Sequence, residues 1–316
     1  MHSNSRLLLR RAVASCFATE AKQSNGGLAS QRRLLRGLAA LGCWAVLVLG
    51  LSLSPAAQAQ PFNAAAYNLR LNVASDGPNA WPHRRDAVRA LIRYHEIDLL
   101  GTQEGLIDQI EDLAALPGLT RVGVGRDDGQ RGGEHAAIFF RTERFALLAT
   151  GDFWLSPTPE VPSKGWDARC CKRLASWARL SDRANGREFF AFSVHFDHEG
   201  VVARRESAQL MLRKMREIAG DAPALLLGDL NATPDSEPVQ LLLTGLRDAR
   251  SLSQTAPYGP VGTFNGFKRD APLLDRIDYV LLTAHWRVLR YAALTDLVDG
   301  RFPSDHLPVV TRLSLD

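Results

Sequence analysis

Pro223-Ala224-Leu225-Leu226-Leu227-Gly228-Asp229-Leu230-Asn231-Ala232-Thr233-Pro234 carries the strongest structural signal in the chain. A short apolar run between proline and glycine reads as a fully buried strand. It ends in an acid and an amide two residues apart. In extended backbone such residues point to the same side, so Asp229 and Asn231 can converge on one small ligand. A carboxylate there can orient or deprotonate water, and an amide can donate to an oxygen as negative charge builds on it. The same residue types also favour turns, so taken alone the segment is equally a strand-to-loop junction.

Working outward, short apolar strands alternate with amphipathic helices. Strands are expected over 62–71, 97–100, 136–140, 145–150, 176–180, 189–196, 277–283 and 307–313. A helix is expected over 84–96, where Val88, Leu91, Ile92 and His95 follow helical spacing, a second after Gly105, and a third over 203–219 with Ala208, Met211, Leu212, Met215 and Ala219 on one face. Strands and helices mixed in this way indicate a layered α+β or α/β domain. Periodicity alone leaves open whether there is one sheet or two.

Polar residues with chemical potential sit where these strands end, the place from which a rigid scaffold projects functional groups. Ser304-Asp305-His306 precedes the last strand. Neighbours in a strand point apart, so Asp305 is better suited to a cation than to His306. Asp278, inside an apolar strand, needs a partner and can hold the imidazole of His306, with Asp275 as a rival. Glu104, after a buried strand, is a hard oxygen donor suited to magnesium. Asn68, inside the first strand, can offer its amide oxygen or touch phosphate. His195 and Asp197 share one face at the end of 189–196, and Asp197 with His198 could form a second cation site or simply end the strand. Each residue also has a purely structural reading as a turn former, loop acid or core amide.

In this order Tyr67-Asn68-Leu69-Arg70, Gln103-Glu104, His195, Gly228-Asp229-Leu230-Asn231, Arg276-Ile277-Asp278-Tyr279 and Ser304-Asp305-His306 resemble the endonuclease/exonuclease/phosphatase family. Trp81-Pro82-His83-Arg84-Arg85 and Asp152-Phe153-Trp154-Leu155-Ser156 resemble its deadenylase-like branch and exported bacterial relatives. The resemblance implies a four-layer α/β/β/α sandwich of two packed mixed sheets flanked by helices, spanning 60–316. It implies a phosphoester hydrolase of phosphodiesterase or nuclease type, in which metal-activated water attacks phosphorus, with Mg2+ (or Mn2+) held at Glu104 with Asn68 and Asp305 nearby. Asp229 would activate water, Asn231 would stabilise the developing oxyanion, His306 oriented by Asp278 would act in acid–base work or phosphate contact, and His195 would bind phosphate from the other side. Ser193-Val194-His195 departs from the Asn-Thr-His often found there, which leaves a supporting hydrogen bond in question. A binding module without activity would be expected to have lost Glu104, Asp229 or His306, and all three are present.

Charge bounds the partner. Residues 1–59 hold seven of the 38 Lys and Arg and only one of the 34 acids, Glu20, so the remainder has a net charge of about −2. Such a body does not coat nucleic acid non-specifically. A nuclease would need a local basic stripe, for which Arg84, Arg85, Arg126, Arg131 and Lys172 are candidates. A phospholipid-directed enzyme would need an exposed aromatic hairpin, for which Phe153, Trp154 and Trp166 are candidates. A small phosphate ester, including an inositol phosphate, fits the near-neutral body, and a monomer is expected. Residues 1–59 read as an export leader: basic, then apolar from Gly37 to Leu53, then Ala57-Gln58-Ala59. Periplasmic or secreted placement follows, or membrane anchoring if the leader stays uncleaved. A bond between the neighbouring Cys170 and Cys171 would be strained, so two thiols or an unusual redox pair are expected, with no disulfide framework.

Overall fold

The period-two alternation of the strands builds both faces of both sheets. In β1 (Phe62–Asn68), Phe62, Ala64 and Ala66 face one apolar cluster while Ala65 and Tyr67 face another. In β7 (Glu188–His195), Phe189 and Ala191 point inward and Phe190, Phe192 and Val194 outward. In β8 (Ala224–Asp229), Leu225 and Leu227 point inward and Leu226 outward. Strands apolar on both faces must be covered on both. The computed structural model describes residues 60–315, and the leader expected over 1–59 lies outside them. No helix among the described residues is long and apolar enough to cross a membrane.

In chain order the remaining elements are α1 (Trp81–Tyr94), β2 (Leu99–Gln103), α2 (Ile107–Ala114), β3 (Leu119–Val122), β4 (Ile138–Arg141), β5 (Phe145–Trp154), β6 (Leu174–Asp182), α3 (Val201–Ala219), α4 (Glu237–Leu242), β9 (Arg247–Asp248), α5 (Ala249–Leu252), β10 (Asp278–Leu282), β11 (Trp286–Ala293) and β12 (Val309–Leu315). They form two six-stranded mixed sheets, ordered β11-β12-β1-β2-β4-β3 and β5-β6-β7-β8-β10-β9. A parallel pair lies inside each, β1 with β2 and β7 with β8, and each parallel step is bridged by a helix, α1 or α3. The sheets pack face to face through the inner cluster. Val88, Leu91 and Ile92 of α1 cover the outer face of the first sheet, and Leu210, Met211 and Met215 of α3 cover that of the second. This is the expected four-layer sandwich.

Several boundaries differ from expectation for local reasons. The first strand stops at Asn68 because Arg70 takes a left-handed backbone, φ 55°. α1 begins at Trp81, three residues earlier than expected, because Pro82 in its first turn favours helix initiation. β3, the two-residue β9 and β11 have no counterpart among the expected strands. β3 has only four residues, and β11 carries a register shift between Val288 and Arg290 that breaks the alternation.

One end of the inter-sheet layer is aromatic. Phe62, Phe145, Phe189 and Trp286 meet with ring centroids 5.1–5.8 Å apart. Toward the other end the sheets close in over Gly101. A Cβ there would lie 2.6 Å from Leu227 Cβ and 3.1 Å from Ser193 Oγ on the facing sheet. Gly101→Ala is therefore expected to destabilise the fold by about 1–3 kcal/mol through overpacking. Denaturant unfolding measures this, and an unchanged midpoint would mean the sheets have slack at that point.

Candidate active site

The inward-facing positions change character at the ends of the central strands. Asn68 follows Ala64 and Ala66, Gln103 follows Leu99 and Gly101, His195 follows Phe189 and Ala191, Asp229 follows Leu225 and Leu227, and Asp278 precedes Val280. Strand pairing sets them side by side, with Asn68 opposite Gln103, His195 opposite Asp229, and Asp229 opposite Asp278. The layer that is oily in the middle thus ends in a cluster of acids, amides and imidazoles. Ser193 also belongs to it. Its hydroxyl accepts from Gln103 Nε2 (3.2 Å) and donates to Thr102 O (3.2 Å), so it ties the two sheets together beneath the site.

At the centre is an Asp278–His306–Asp229 line. His306 Nδ1 is 2.9 Å from Asp278 Oδ2, and its Nε2 is 3.8 Å from Asp229 Oδ2. Asp278 is fully buried and Asp229 is 1% exposed. Asp275 lines the cavity but is not the partner of His306; the strand register gives that place to Asp278. Burial alone would drive the proton off His306. The facing carboxylates, Asp278 first and then Asp229, overcome this and hold the imidazole well above its usual value. Burial, reinforced by Asp278 and opposed by His306, pushes the Asp229 carboxyl up to about 7.

Asn68 joins this line to Glu104. Its amide nitrogen donates to Asp229 Oδ2 (2.9 Å) and Glu104 Oε1 (3.0 Å). The amide oxygen expected to face a cation instead accepts the Arg70 N–H (2.9 Å). Asn68 therefore presents its nitrogen to the site and spaces the two carboxylates. Glu104 Oε2 accepts from Leu71 N (3.1 Å). One ligand atom from each of Glu104, His195 and Asp229 lies within 4.8 Å of the others, as do atoms of Asp229, Asp278 and His306. Asp305 flanks the first group, 3.9 Å from Arg70 Nε, and burial raises its carboxyl above the usual range. Arg70, Glu104 and Asn231 all adopt positive φ (55°, 63° and 45°). Such conformations are unfavourable for these residues and gather where surrounding contacts enforce them. Asn231 thus reaches the site by a turn, its N–H on Asp229 Oδ1 (2.9 Å), and not by the extended i, i+2 geometry expected.

On the far side His195 is held by residues that the sequence reading passed over. Arg173, 5% exposed, donates from Nη1 to His195 Nδ1 (2.9 Å) and lies 2.7 Å from His198 Nδ1 through Nη2. Arg173 Nη1 is also 3.2 Å from His195 Nε2, which faces Asp229 Oδ2 at 3.5 Å. Glu134 lies 3.7 Å from His195 and pairs with Arg126 at 2.5 Å, and burial above all pushes its carboxyl up to about 7. Burial, then Arg173 and Arg126, drive the His195 pKa well below its usual value. The Asn231 amide nitrogen is 3.1 Å from His195 Nε2 and donates to Phe196 O (3.1 Å). Asp197 turns away to accept the Gly200 and Glu199 N–H groups, so it ends the strand and starts the loop to α3.

Glu104, His195, Asp229, Asn231, Asp305 and His306 all line one open cavity of about 820 Å³, with Asn68 and Asp278 buried beneath it. A sequence profile of the endonuclease/exonuclease/phosphatase family matches residues 65–306, a span that contains all eight. The chain belongs to the endonuclease/exonuclease/phosphatase family. A family member from Bacteroides thetaiotaomicron superposes with TM-score 0.79 at 39% identity, over 82% of this chain and 99% of that one. A mannosyl-6-phosphatase from the same organism gives TM-score 0.77 at 39% identity, over 80% and 100%. Nocturnin of Drosophila melanogaster is 26% identical over 289 residues, 74% of this chain and 42% of that protein, so the chain spans less than half of that relative. By membership the chain is a phosphoester hydrolase.

Two expectations that bear on this hydrolase's substrate are corrected. Of the five candidates for a basic stripe, Arg84 is buried and three are paired with acids, so no continuous stripe is left at these positions. Arg84 is buried, donates to the carbonyls of Asn79, Leu69, Arg70 and Pro303, and stacks on Trp81 and Phe267. Arg85 pairs with Asp86, Arg126 with Glu134, Arg131 with Glu111, and Lys172 donates to Asp127 O. The aromatic hairpin does not form either. Phe153 and Trp154 are buried and Trp166 packs against the outer cluster. Of the two expectations for the cysteines, free thiols fail and a bonded pair is what the structure has, since Cys170 and Cys171 are joined as a disulfide at the cavity rim.

Arg84 is thus a buried clamp on the loops that carry Arg70 and Ser304-Asp305-His306. Arg84→Met leaves those carbonyls without a donor and should lower the unfolding free energy by about 2–4 kcal/mol, without changing the salt dependence of any polyanion binding. Denaturant melts test the first half; a stability equal to wild type would show that the clamp is idle.

Proposed function

We propose that the protein is an exported, Mg2+-dependent hydrolase of phosphate esters, with a phosphomonoester on a sugar as its favoured substrate class. The observation that carries this is the convergence of Glu104, His195, Asp229 and the Asp278-bound His306 on one open cavity. The cation site is argued from its donors. Glu104 and Asp229 present carboxylate oxygens within 4.8 Å of each other and of His195, with Asp305 on the flank. Such a hard, oxygen-rich set suits Mg2+, or Mn2+ in its place, better than thiophilic metals. When bound, the cation supplies positive charge to the phosphoryl and leaving-group oxygens. Asn68 keeps the two carboxylates at the spacing they need.

The protein's own groups divide the rest of the work. Asp229, fixed by Asn68 and by the Asn231 N–H, orients the attacking water and takes its proton. His306, held by Asp278, lies against the same carboxylate and contributes positive charge or a proton to the phosphate. His195 and the Asn231 amide meet the phosphate from the opposite side and stabilise the charge that develops on it. The sugar phosphate class is supported by the mannosyl-6-phosphatase at 39% identity and by the near-neutral body. The nuclease and phospholipid readings lose support with the absence of the basic stripe and aromatic hairpin that each required.

Full-length protein should release phosphate from a hexose 6-phosphate when Mg2+ is present and stop when EDTA removes it. Asp229→Asn, nearly isosteric, should reduce kcat by about 10²–10⁴-fold with an unchanged circular dichroism spectrum. Wild-type turnover by that variant, or undiminished turnover in EDTA, would overturn the proposed roles. Single-stranded RNA, duplex DNA, sphingomyelin and inositol phosphates serve as competing substrates; a higher kcat/KM on any of them rejects the sugar phosphate class. Export is checked separately, since a leader cleaved after Ala59 leaves a mature chain beginning at Gln60 by intact mass.

A further inference from the structure

The double cysteine has no part in the chemistry above, yet it stands at the mouth of the cavity. We infer that the Cys170–Cys171 disulfide positions Arg173, and through it His195, so that reducing the bond slows the reaction; this rests on the reading of His195 as a phosphate-contacting residue.

The disulfide lies in the long connection between β5 and β6. That connection is tied down on one side of the cysteines by Asp167, which accepts the N–H groups of Val202 (3.0 Å) and Ala203 (2.6 Å) at the start of α3. On the other side, Arg173 O accepts Leu155 N (2.8 Å). Between these ties run Cys170 and Cys171, bonded to each other and lining the cavity. A ring closed across one peptide unit removes most of the freedom of the backbone leading to Arg173, the constraint by which a disulfide acts.

Arg173 depends on that backbone because no carboxylate hydrogen-bonds its side chain, and the two ion pairs it makes are long. Its nearest carboxylates are beyond hydrogen-bond reach, with Nε 3.5 Å from Asp197 Oδ2 and Nη1 3.8 Å from Glu134 Oε2. Neither Arg173 Nε nor Asp197 Oδ2 has a hydrogen-bond partner. What Arg173 does grip is the two imidazoles, His195 Nδ1 at 2.9 Å and His198 Nδ1 at 2.7 Å. The same Nη1 is 3.2 Å from His195 Nε2, so the guanidinium holds the ring with Nε2 toward Asp229 and the cavity. If the guanidinium shifts, that hold is lost and the ring is free to turn.

The chemistry is a thiol–disulfide exchange. Cys170 is exposed, so a dithiol reductant can attack the bond. The reductant gives up two electrons and two protons, the S–S bond breaks, two thiols form, and the reductant closes to its own cyclic disulfide. Reoxidation reverses the step. An oxidising compartment, as proposed for the exported chain, keeps the bond closed.

The test uses full-length protein, treated with dithiothreitol, desalted without air and then assayed with Mg2+. Reduction should lower kcat about tenfold, the low end for losing a partner that orients a site ligand, while KM stays nearly constant. Reoxidation should restore kcat. The Cys170→Ser/Cys171→Ser double variant should match the reduced enzyme and ignore the reductant. Independently of activity, carbethoxylation of His195 by diethyl pyrocarbonate, mapped by mass spectrometry, should quicken several-fold on reduction. The inference is overturned if kcat and His195 labelling are both unmoved, if only KM changes, or if Cys170 and Cys171 alkylate freely in untreated protein. Absence of turnover by the untreated enzyme would instead reject the hydrolase reading, and the labelling rates would still decide the role of the disulfide.

Discussion

A carboxylate between two packed sheets must find a cation or a donor, and this protein puts several there. Asp229, Asp278, Asp305 and Glu104 crowd the open end of the inter-sheet layer, with His306 set against Asp278 and Asp229. Unpaired burial of even one such charge costs several kcal/mol. The structure answers with a line of alternating charge and with amide and backbone donors from Asn68, Leu71 and Asn231 on the oxygens of Asp229 and Glu104, while Asp278 Oδ1 stays without a partner. The arrangement leaves excess negative charge facing the cavity, a standing preference for a cation there. Stability and chemistry are therefore linked through the same few atoms.

The sheets hold this arrangement in place. Each acid or imidazole sits on a strand or just beyond one, and ladder hydrogen bonds fix the strands relative to one another. A one-residue slip of β8 would point Asp229 into the outer layer against α3 and bring Leu230 into the site. The apolar inner positions, and the close approach at Gly101, oppose such a slip. Loops were left to supply what strands cannot. Glu104, Arg70 and Asn231 reach the cavity only through left-handed backbone, and the contacts around each enforce it. The connection from β5 to β6 brings in Arg173 and the disulfide.

Several charged residues that look functional in a linear reading are structural in three dimensions. Arg84 fastens loops from inside, Arg126 neutralises Glu134, and Asp197 and Asp167 cap backbone N–H groups around α3. This explains why the body has no free basic track for nucleic acid at the positions where one was sought.

The sequence by itself determined the class of fold and most of the site. Buried strands ending in Asp229, His195 and Asp278, and Asp305-His306 before the last strand, are legible because alternation assigns each a face and because strand ends project functional groups. It also determined the family, through the order of those segments. Tertiary structure decided between Asp278, which the pattern already favoured as a strand acid, and its rival Asp275: β10 starts at Asp278, sets it opposite Asp229 and against His306, and leaves Asp275 outside the strand. It turned the Asn68 nitrogen toward the carboxylates by giving its oxygen to Arg70. It brought in Glu134 and Arg173, which lie in loops without periodicity and gain meaning only from contacts with residues far along the chain. Local pattern reports which side of a strand a residue faces; what it faces depends on how the two sheets are laid together.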